Sequence, residues 1–391
     1  MTTAESGDGG HRGPSPQPLR IAVLSWRDVH HPEAGGSEVY VHEVARRWVA
    51  AGHEVTVVTA RAPGQDEREV VDGVVHRRRG GRLTVYPHGL LYLLRAGRAL
   101  DVVIDVINGL PFGSPLVRRQ GVMALVHHVH REQWQIIYPD WRGRIGWFVE
   151  SWVTPRLYRR VPFVTVSAAT RADLAGIGVP PDHVAVVRNG LSAHPVEEVV
   201  RSHTPRVIVL TRLVPHKQVE HVLEAAARLR GEHPDLAIDV VGDGWWHDRL
   251  IAEAERLGVC DMVTFHGHVD ELSRDRLLAQ AWVMALPSLK EGWGIAVTEA
   301  AAQGTPTIGY VSSGGLQESV VDGVTGWLVD DLDELVERLD SVLSGRVALG
   351  PASTAARESA AALDWSRTST ELLHVAAGAA RGAAVSGLRR R

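Results

Sequence analysis

Two glutamates, Glu291 and Glu299, separated by Gly292-Trp293-Gly294-Ile295-Ala296-Val297-Thr298, carry the strongest chemical signal in the chain. They follow the apolar run WVMALPS and enter a segment, 294–303, that reads as a helix. Glu291 then sits in a loop whose glycines let a ligand touch the backbone, and Glu299 lies one to two turns into the helix. Carboxylates so placed accept paired hydrogen bonds from vicinal hydroxyls, of a hexose at Glu291 and of a ribose at Glu299. Their plainer roles are a helix-dipole partner and a surface residue.

The matching cations come from Thr211-Arg212-Leu213-Val214-Pro215-His216-Lys217, which follows another apolar run, RVIVL. The planar fork of Arg212 and the compact charge of Lys217 suit a diphosphate, and together can offset charge developing on a departing nucleoside diphosphate. Two solvated cations are the plainer reading. Two loops carry paired glycines, Gly35-Gly36 within 33–37 and Gly314-Gly315-Leu316 within 312–318. Their amides can cradle phosphate or sugar oxygens; alternatively they make a tight turn and a helix start in which Glu318 completes a capping box. His127, His128 and His130 end the apolar run Ala124-Leu125-Val126. They lack Cys or Glu companions at zinc-binding spacing, so the expected role is a hydrogen-bond donor to substrate and no metal is expected.

The elements that must position these groups are short β-branched runs alternating with helical segments from Arg20 onward, the pattern of parallel sheets covered on both faces. Strands are expected at 21–26, in GHEVTVVTA, at 102–107 and at 163–166. After a loop near 192–205 the pattern restarts with RVIVLTRL, LAIDVVGDG, MVTFHGHV, WVMALPS and TPTIGYVSS, which makes two Rossmann-like units in tandem. The expected organisation is a disordered tail (1–18), a first domain (19–200), a second (201–365), and a terminal helix with a frayed tail (366–391). In open α/β sheets ligands bind beyond the carboxyl ends of strands, where every loop named above falls.

With 391 residues and 45% apolar content the chain can bury two cores. A net charge of -4 leaves no basic field for nucleic acid. No apolar run is long enough to span a membrane and the N-terminus lacks a signal-peptide core, so a cytoplasmic protein is expected. The single cysteine, Cys260, reads as a buried structural thiol. No G-x-G-x-x-G follows the first strand, which argues against hydride transfer.

Taken together these loops resemble those of the retaining GT-B glycosyltransferases of family 4 (glycosyl transferases group 1). Val166-Ser167, Arg188-Asn189-Gly190, Gly242-Asp243-Gly244, Phe265-His266-Gly267 and Asp322-Gly323-Val324-Thr325-Gly326 are similar to family landmarks and stand in the expected order, so the likeness spans nearly all of 20–375. The resemblance implies a GT-B fold, two Rossmann-like domains facing each other across a cleft. It implies that Glu291 contacts the donor sugar, Glu299 the ribose, and Arg212 and Lys217 the diphosphate. Gly35, Gly36, Gly242, Gly267, Gly292, Trp293, Gly294, Gly314, Gly315 and Leu316 would complete the donor site. His127 matches the family's histidine near the reacting sugar, with His128 as its rival. The implied chemistry is hexosyl transfer with retention from a nucleoside-diphosphate sugar, without cofactor or catalytic metal. Thr211 and Gln317 stand where the family commonly has glycine and proline, which bears on donor specificity rather than on transfer.

Acceptor choice falls to first-domain loops, where His128, His130, Asn108, Arg78 and Trp134 are the candidates. Arg77, Arg78, Arg79 and Arg82 could bind an acceptor phosphate, or form a solvated run. Trp134, Tyr138, Trp141, Trp147, Phe148, Trp152, Arg156, Tyr158, Arg159 and Arg160 could rest on an anionic membrane and meet a lipid-linked acceptor, or pack beneath the domain and serve a small metabolite. The alternatives in other classes are a sugar-nucleotide epimerase or phosphorylase on a GT-B-like scaffold and a non-catalytic nucleotide-sugar-binding protein.

Overall fold

A computed structural model describes residues 17–192, 196 and 199–382. Of the tail expected at 1–18, residues 1–16 lie outside the described residues, as does the end of the chain from 383. Buried β-branched runs form two sheets. The first contains β1 (Arg20–Leu24), β2 (Glu54–Thr59), β3 (Arg68–Val71), β4 (Val74–Arg78), β5 (Val102–Val106), β6 (Val122–Val126), β7 (Phe163–Thr165) and β8 (Val184–Val186), in the order β3-β4-β2-β1-β5-β6-β7-β8. All pairings are parallel except the β3–β4 hairpin, whose Asp72-Gly73 turn places both residues at positive φ, 49° and 77°. The second contains β9 (Arg206–Leu210), β10 (Ala237–Val241), β11 (Val263–Gly267), β12 (Val283–Leu286), β13 (Thr307–Tyr310) and β14 (Gly326–Val329), in the order β11-β10-β9-β12-β13-β14, all parallel.

Each sheet is covered on both faces. Tyr40, Val44 and Trp48 pack on one face of the first sheet, and Val85, Phe112 and Tyr158 on the other. In the second, Val222, Leu250 and Leu339 oppose Leu278, Val297 and Leu316. The strand order reverses between β1 and β5 in the first sheet and between β9 and β12 in the second. Those two points open crevices at the carboxyl ends of the strands.

The terminal helix starts at Trp365, where the Asp364 carboxylate accepts from the Ser366 amide at 2.8 Å, and continues to Ala380 through what reads in the sequence as a frayed tail. It belongs to the first domain: Trp365, Leu372, Val375, Ala376 and Ala379 join the core beneath β5 and β6, and the Trp48 indole donates to the Ser369 carbonyl. The chain therefore crosses between the domains twice. The crossings touch at Gly190, where a Cβ would come within 2.3 Å of the Trp365 amide nitrogen. Cys260 is exposed, contrary to the expectation of a buried thiol. It follows Val259, which is the residue that turns into the core at the end of the helix His247–Leu257.

Candidate functional site

Arg212 and Lys217 follow β9, and Glu291 follows β12, so the switch point of the second sheet brings together charges that are 74–79 positions apart. The Lys217 ammonium donates to Glu291 Oε1 at 2.6 Å, with the two side chains only 12% and 11% exposed. Arg212 is half-buried. Burial pushes its guanidinium down to about 10, an effect that Arg27 reinforces and Glu38 and Glu291 oppose. It therefore stays charged at neutral pH.

The first domain meets these cations with Gly35-Gly36, which opens the helix Gly36–Ala50. A Cβ on Gly35 would stand 3.1 Å from Arg212 Nε, and one on Gly36 would stand 3.0 Å from the tip of Ile295. The glycines thus permit close approach of the second domain. The Gly35 amide itself is already taken, donating to the Glu38 carboxylate at 2.7 Å. Glu38 is a buried acid that sequence reasoning missed. Burial raises its pKa, but Arg27 (Nε to Oε1, 3.1 Å), Ser37 and Arg212 outweigh this and hold it below the usual range. Its local signal was a glutamate three residues after the helix-start glycine, the position that caps free amides.

Glu299 lies on the helix Ile295–Ala302, where burial raises its pKa and Arg274, at 2.8 Å, opposes the rise. Arg274 is a second group that sequence reasoning missed, and unlike Glu38 it has no local signal. The remaining loop glycines pack backbone on backbone: a Cβ on Gly242 would come within 1.9 Å of the Thr211 carbonyl oxygen, and one on Gly315 within 2.3 Å of the Gly292 carbonyl oxygen. Gly267 accepts from the Gly242 amide at 2.8 Å, Gly294 has φ 85°, and Gly314 lies beside the Lys290 ammonium.

Several expected contacts change role. Trp293 does not line the donor side with its ring; it is 6% exposed and inserts into the first domain's core beside Val166 and Val187, with Arg188 over its face at 5.7 Å. The Leu316 side chain is core, so its amide alone is free to face a ligand. Glu318 does not close a capping box on its own helix. It reaches across to accept from the Ala169 amide at 3.0 Å, in the first turn of the first-domain helix Ala168–Gly176, while Lys290 pairs with Asp173 of that helix at 2.6 Å. With Gly292 seated against the His127 carbonyl, these contacts hold the two domains together on one side of the cleft.

His127 is buried edge-on against Tyr40, and its Nε2 has no hydrogen-bond partner. Burial pushes its pKa down to about 4. His128 feels the Lys217 charge: burial, then His130, His216 and Lys217, hold it well below the ordinary histidine value. His216, depressed to about 2 by burial and by its cationic neighbours, is also neutral. Of the residues expected to serve an acceptor, His130 and Trp134 are organised by buried Glu150, which accepts from Trp134 Nε1 at 2.7 Å and faces His130 Nδ1 at 3.0 Å. Asn108 follows β5, at the first sheet's switch point, with a buried unpartnered amide nitrogen. Arg78 is not available to an acceptor. It is 1% exposed and bound to Asp28 and, at 2.7 Å, to Glu69, because β4 turns it into the sheet rather than out to the cleft. Tyr158 is likewise internal, hydrogen-bonded to buried Asp105. Among the described residues no group of three or more His, Cys, Asp or Glu is arranged to hold a metal ion.

The family model of glycosyl transferases group 1 matches residues 193–361, and that of glycosyltransferase family 4 matches residues 34–195. The chain is 31% identical to an MMP alpha-(1->4)-mannosyltransferase of Mycolicibacterium hassiacum, across 83% of this chain and 89% of that one. It is 28% identical to a glycogen synthase of Mycobacterium tuberculosis, across 93% and 96%. Among solved structures, sucrose-phosphate synthase from Thermosynechococcus elongatus superposes with a TM-score of 0.77 at 20% identity, covering 91% of this chain and 98% of the other. The lipopolysaccharide glycosyltransferase WaaG superposes with a TM-score of 0.72 at 17% identity, covering 92% and 100%.

Proposed function

Because this chain belongs to the GT-B glycosyltransferases, of the group 1 and family 4 type, we propose that it transfers a hexosyl unit from a nucleoside-diphosphate sugar to a hydroxyl acceptor in the cytoplasm, with retention and without a catalytic metal. The observation that carries the donor side of this reading is the Lys217–Glu291 pair beside half-buried Arg212, facing Gly35-Gly36 at the switch point of the second sheet. A diphosphate placed there meets two cations, and Glu291 becomes free to accept from the sugar's hydroxyls. Glu299, held by Arg274, takes the ribose.

In the transfer, the acceptor oxygen bonds to the anomeric carbon as that carbon's bond to the diphosphate oxygen breaks, on the same face. The acceptor proton passes to the leaving phosphate, so no enzyme nucleophile is needed. Arg212 and Lys217 stabilise the charge on the leaving group; removing one such preorganised donor costs about 3 kcal/mol of transition-state stabilisation in comparable sites. Neutral His127 and His128 can donate to sugar or acceptor hydroxyls without adding charge. Names of relatives such as the mannosyltransferase and the glycogen synthase support hexosyl transfer, and a neighbouring fold crystallised with UDP and glucose supports a nucleotide-sugar donor. The test is thermal unfolding with UDP, GDP, ADP and dTDP in EDTA, comparing wild type with Lys217→Ala. One diphosphate should raise the midpoint, by about 2.7 kcal/mol of added stability at 100 times its Kd, and the variant should lose the rise. No rise with any of the four would sink the reading.

A further inference from the structure

The helix Trp141–Phe148 and the π-helical turns Val149–Val153 that continue it present their large apolar side chains outward. Against the domain stand Gly143, Gly146, Glu150 and Thr154, all buried. A Cβ on Gly143 would come within 2.1 Å of the Tyr138 carbonyl oxygen, and one on Gly146 within 2.3 Å of the Trp134 ring. Toward solvent stand Trp141, Ile145, Phe148 and Trp152, at 66%, 53%, 51% and 48% exposure. Both series advance by three or four residues, so each forms one stripe and the two lie on opposite faces. Phe148 and Trp152 stack with centroids 5.1 Å apart, and the Arg156 guanidinium lies 4.1 Å over Trp152. Arg142, Arg144, Arg156, Arg159 and Arg160 on the same segment are exposed. Residues 131–160 hold six arginines against three acids, one of them the buried Glu150.

We propose that this face docks on the surface of an anionic lipid bilayer, the four apolar side chains entering the interfacial layer and the arginines meeting lipid phosphates. Tryptophan and phenylalanine flanked by arginine fit that layer, and each basic residue near it adds to the attraction of an anionic leaflet. A second copy of the chain fits less well. At about 200 Å² for each fully exposed side chain the stripe offers roughly 400 Å², half of the roughly 800 Å² a stable interface buries on each partner. No helix among the described residues is long and apolar enough to cross a membrane, so the contact is peripheral. Beneath the stripe the helix Arg131–Ile137 packs against the turn Pro215–Lys217, so docking sets the acceptor side of the cleft beside the bilayer.

The experiment is flotation of the full chain with phosphatidylcholine vesicles, with and without phosphatidylglycerol, read independently of transfer. Wild type should float with the anionic vesicles and not with phosphatidylcholine alone. The triple variant W141S/F148S/W152S and the charge variant R144E/R156E should each lower the bound fraction by about tenfold or more. Because these substitutions sit on the exposed face, an unchanged circular dichroism spectrum is expected; if the triple variant misfolds, the charge variant decides. Wild type that does not float, or variants that float equally well, would overturn the proposal. So would a wild-type dimer that the triple variant dissociates, which would assign the face to a second copy.

Discussion

Lys217→Ala and Glu291→Gln should move nucleoside-diphosphate affinity in opposite directions. In the cleft the two side chains hold each other at 2.6 Å with little exposure, so an arriving diphosphate competes with Glu291 for the ammonium. Lys217→Ala removes a charge-assisted contact of about 1.5–3 kcal/mol, a loss of roughly 10- to 150-fold in affinity. Glu291→Gln instead leaves the ammonium without its counter-charge, which costs the free protein about 1–3 kcal/mol. The diphosphate relieves that cost when it binds. Water entering the cleft recovers part of it, so a gain of up to about 1 kcal/mol, roughly fivefold in affinity, is expected. The same variant should be less heat-stable without ligand and poorer in transfer, because its contact with the sugar is weakened. Calorimetric titration with the preferred diphosphate, paired with thermal unfolding of each variant, measures both signs. Parallel losses of affinity in the two variants would refute the reasoning, because Glu291 would then be helping to bind the diphosphate rather than competing with it.

Gly292→Ala places a Cβ 2.3 Å from the His127 carbonyl, so the domains must part; transfer should fall at least about tenfold while each domain stays folded, and small-angle scattering should show a larger radius. Arg78→Met strands Asp28 and should cost about 3–5 kcal/mol in urea unfolding with the acceptor KM of the folded fraction unchanged, whereas an acceptor-binding role would give the reverse. Burial holds His127 at about 4 and His216 at about 2, against an ordinary value of 6.5 in the unfolded chain. Depressed folded values mean that the unfolded state takes up protons first. Stability should therefore be intact above pH 6.5 and fall below it, with His127 accounting for about 3 kcal/mol of the loss down to pH 4 and His216 continuing the fall beyond, and His127→Gln should reduce the slope between pH 6.5 and 4 in denaturation measured across pH.

The gathering of Arg212, Lys217, Glu291 and the glycine pairs at strand ends was legible because its signals are local. An apolar run followed by glycine and a charged residue marks a strand end, and Arg212, Lys217, Glu291 and the glycine pairs each announce themselves in this way. The fold class was legible for the same reason. What escaped depends on partners distant in the chain. Nothing near Arg78 announces Asp28, fifty positions away, and nothing near Trp293 announces a pocket in the other domain's core. Arg274 and Glu299 meet across 25 positions, and Glu318 caps a helix 149 positions earlier. The return of the terminal helix to the first domain follows from where Trp365 finds its cavity, which periodicity alone does not encode. On the aromatic segment the residue types were visible, but the division into a glycine face turned inward and a tryptophan face turned outward required the helix to be placed against Trp134.

The central claim is that the switch point of the second sheet is a diphosphate site between the two domains. A crystal structure of the protein with its preferred nucleoside diphosphate tests it most directly. The phosphates should lie within hydrogen-bond reach of both Arg212 and Lys217, with the ribose hydroxyls on Glu299 and the Lys217–Glu291 pair opened. Phosphates bound elsewhere, with that pair still closed, would contradict it.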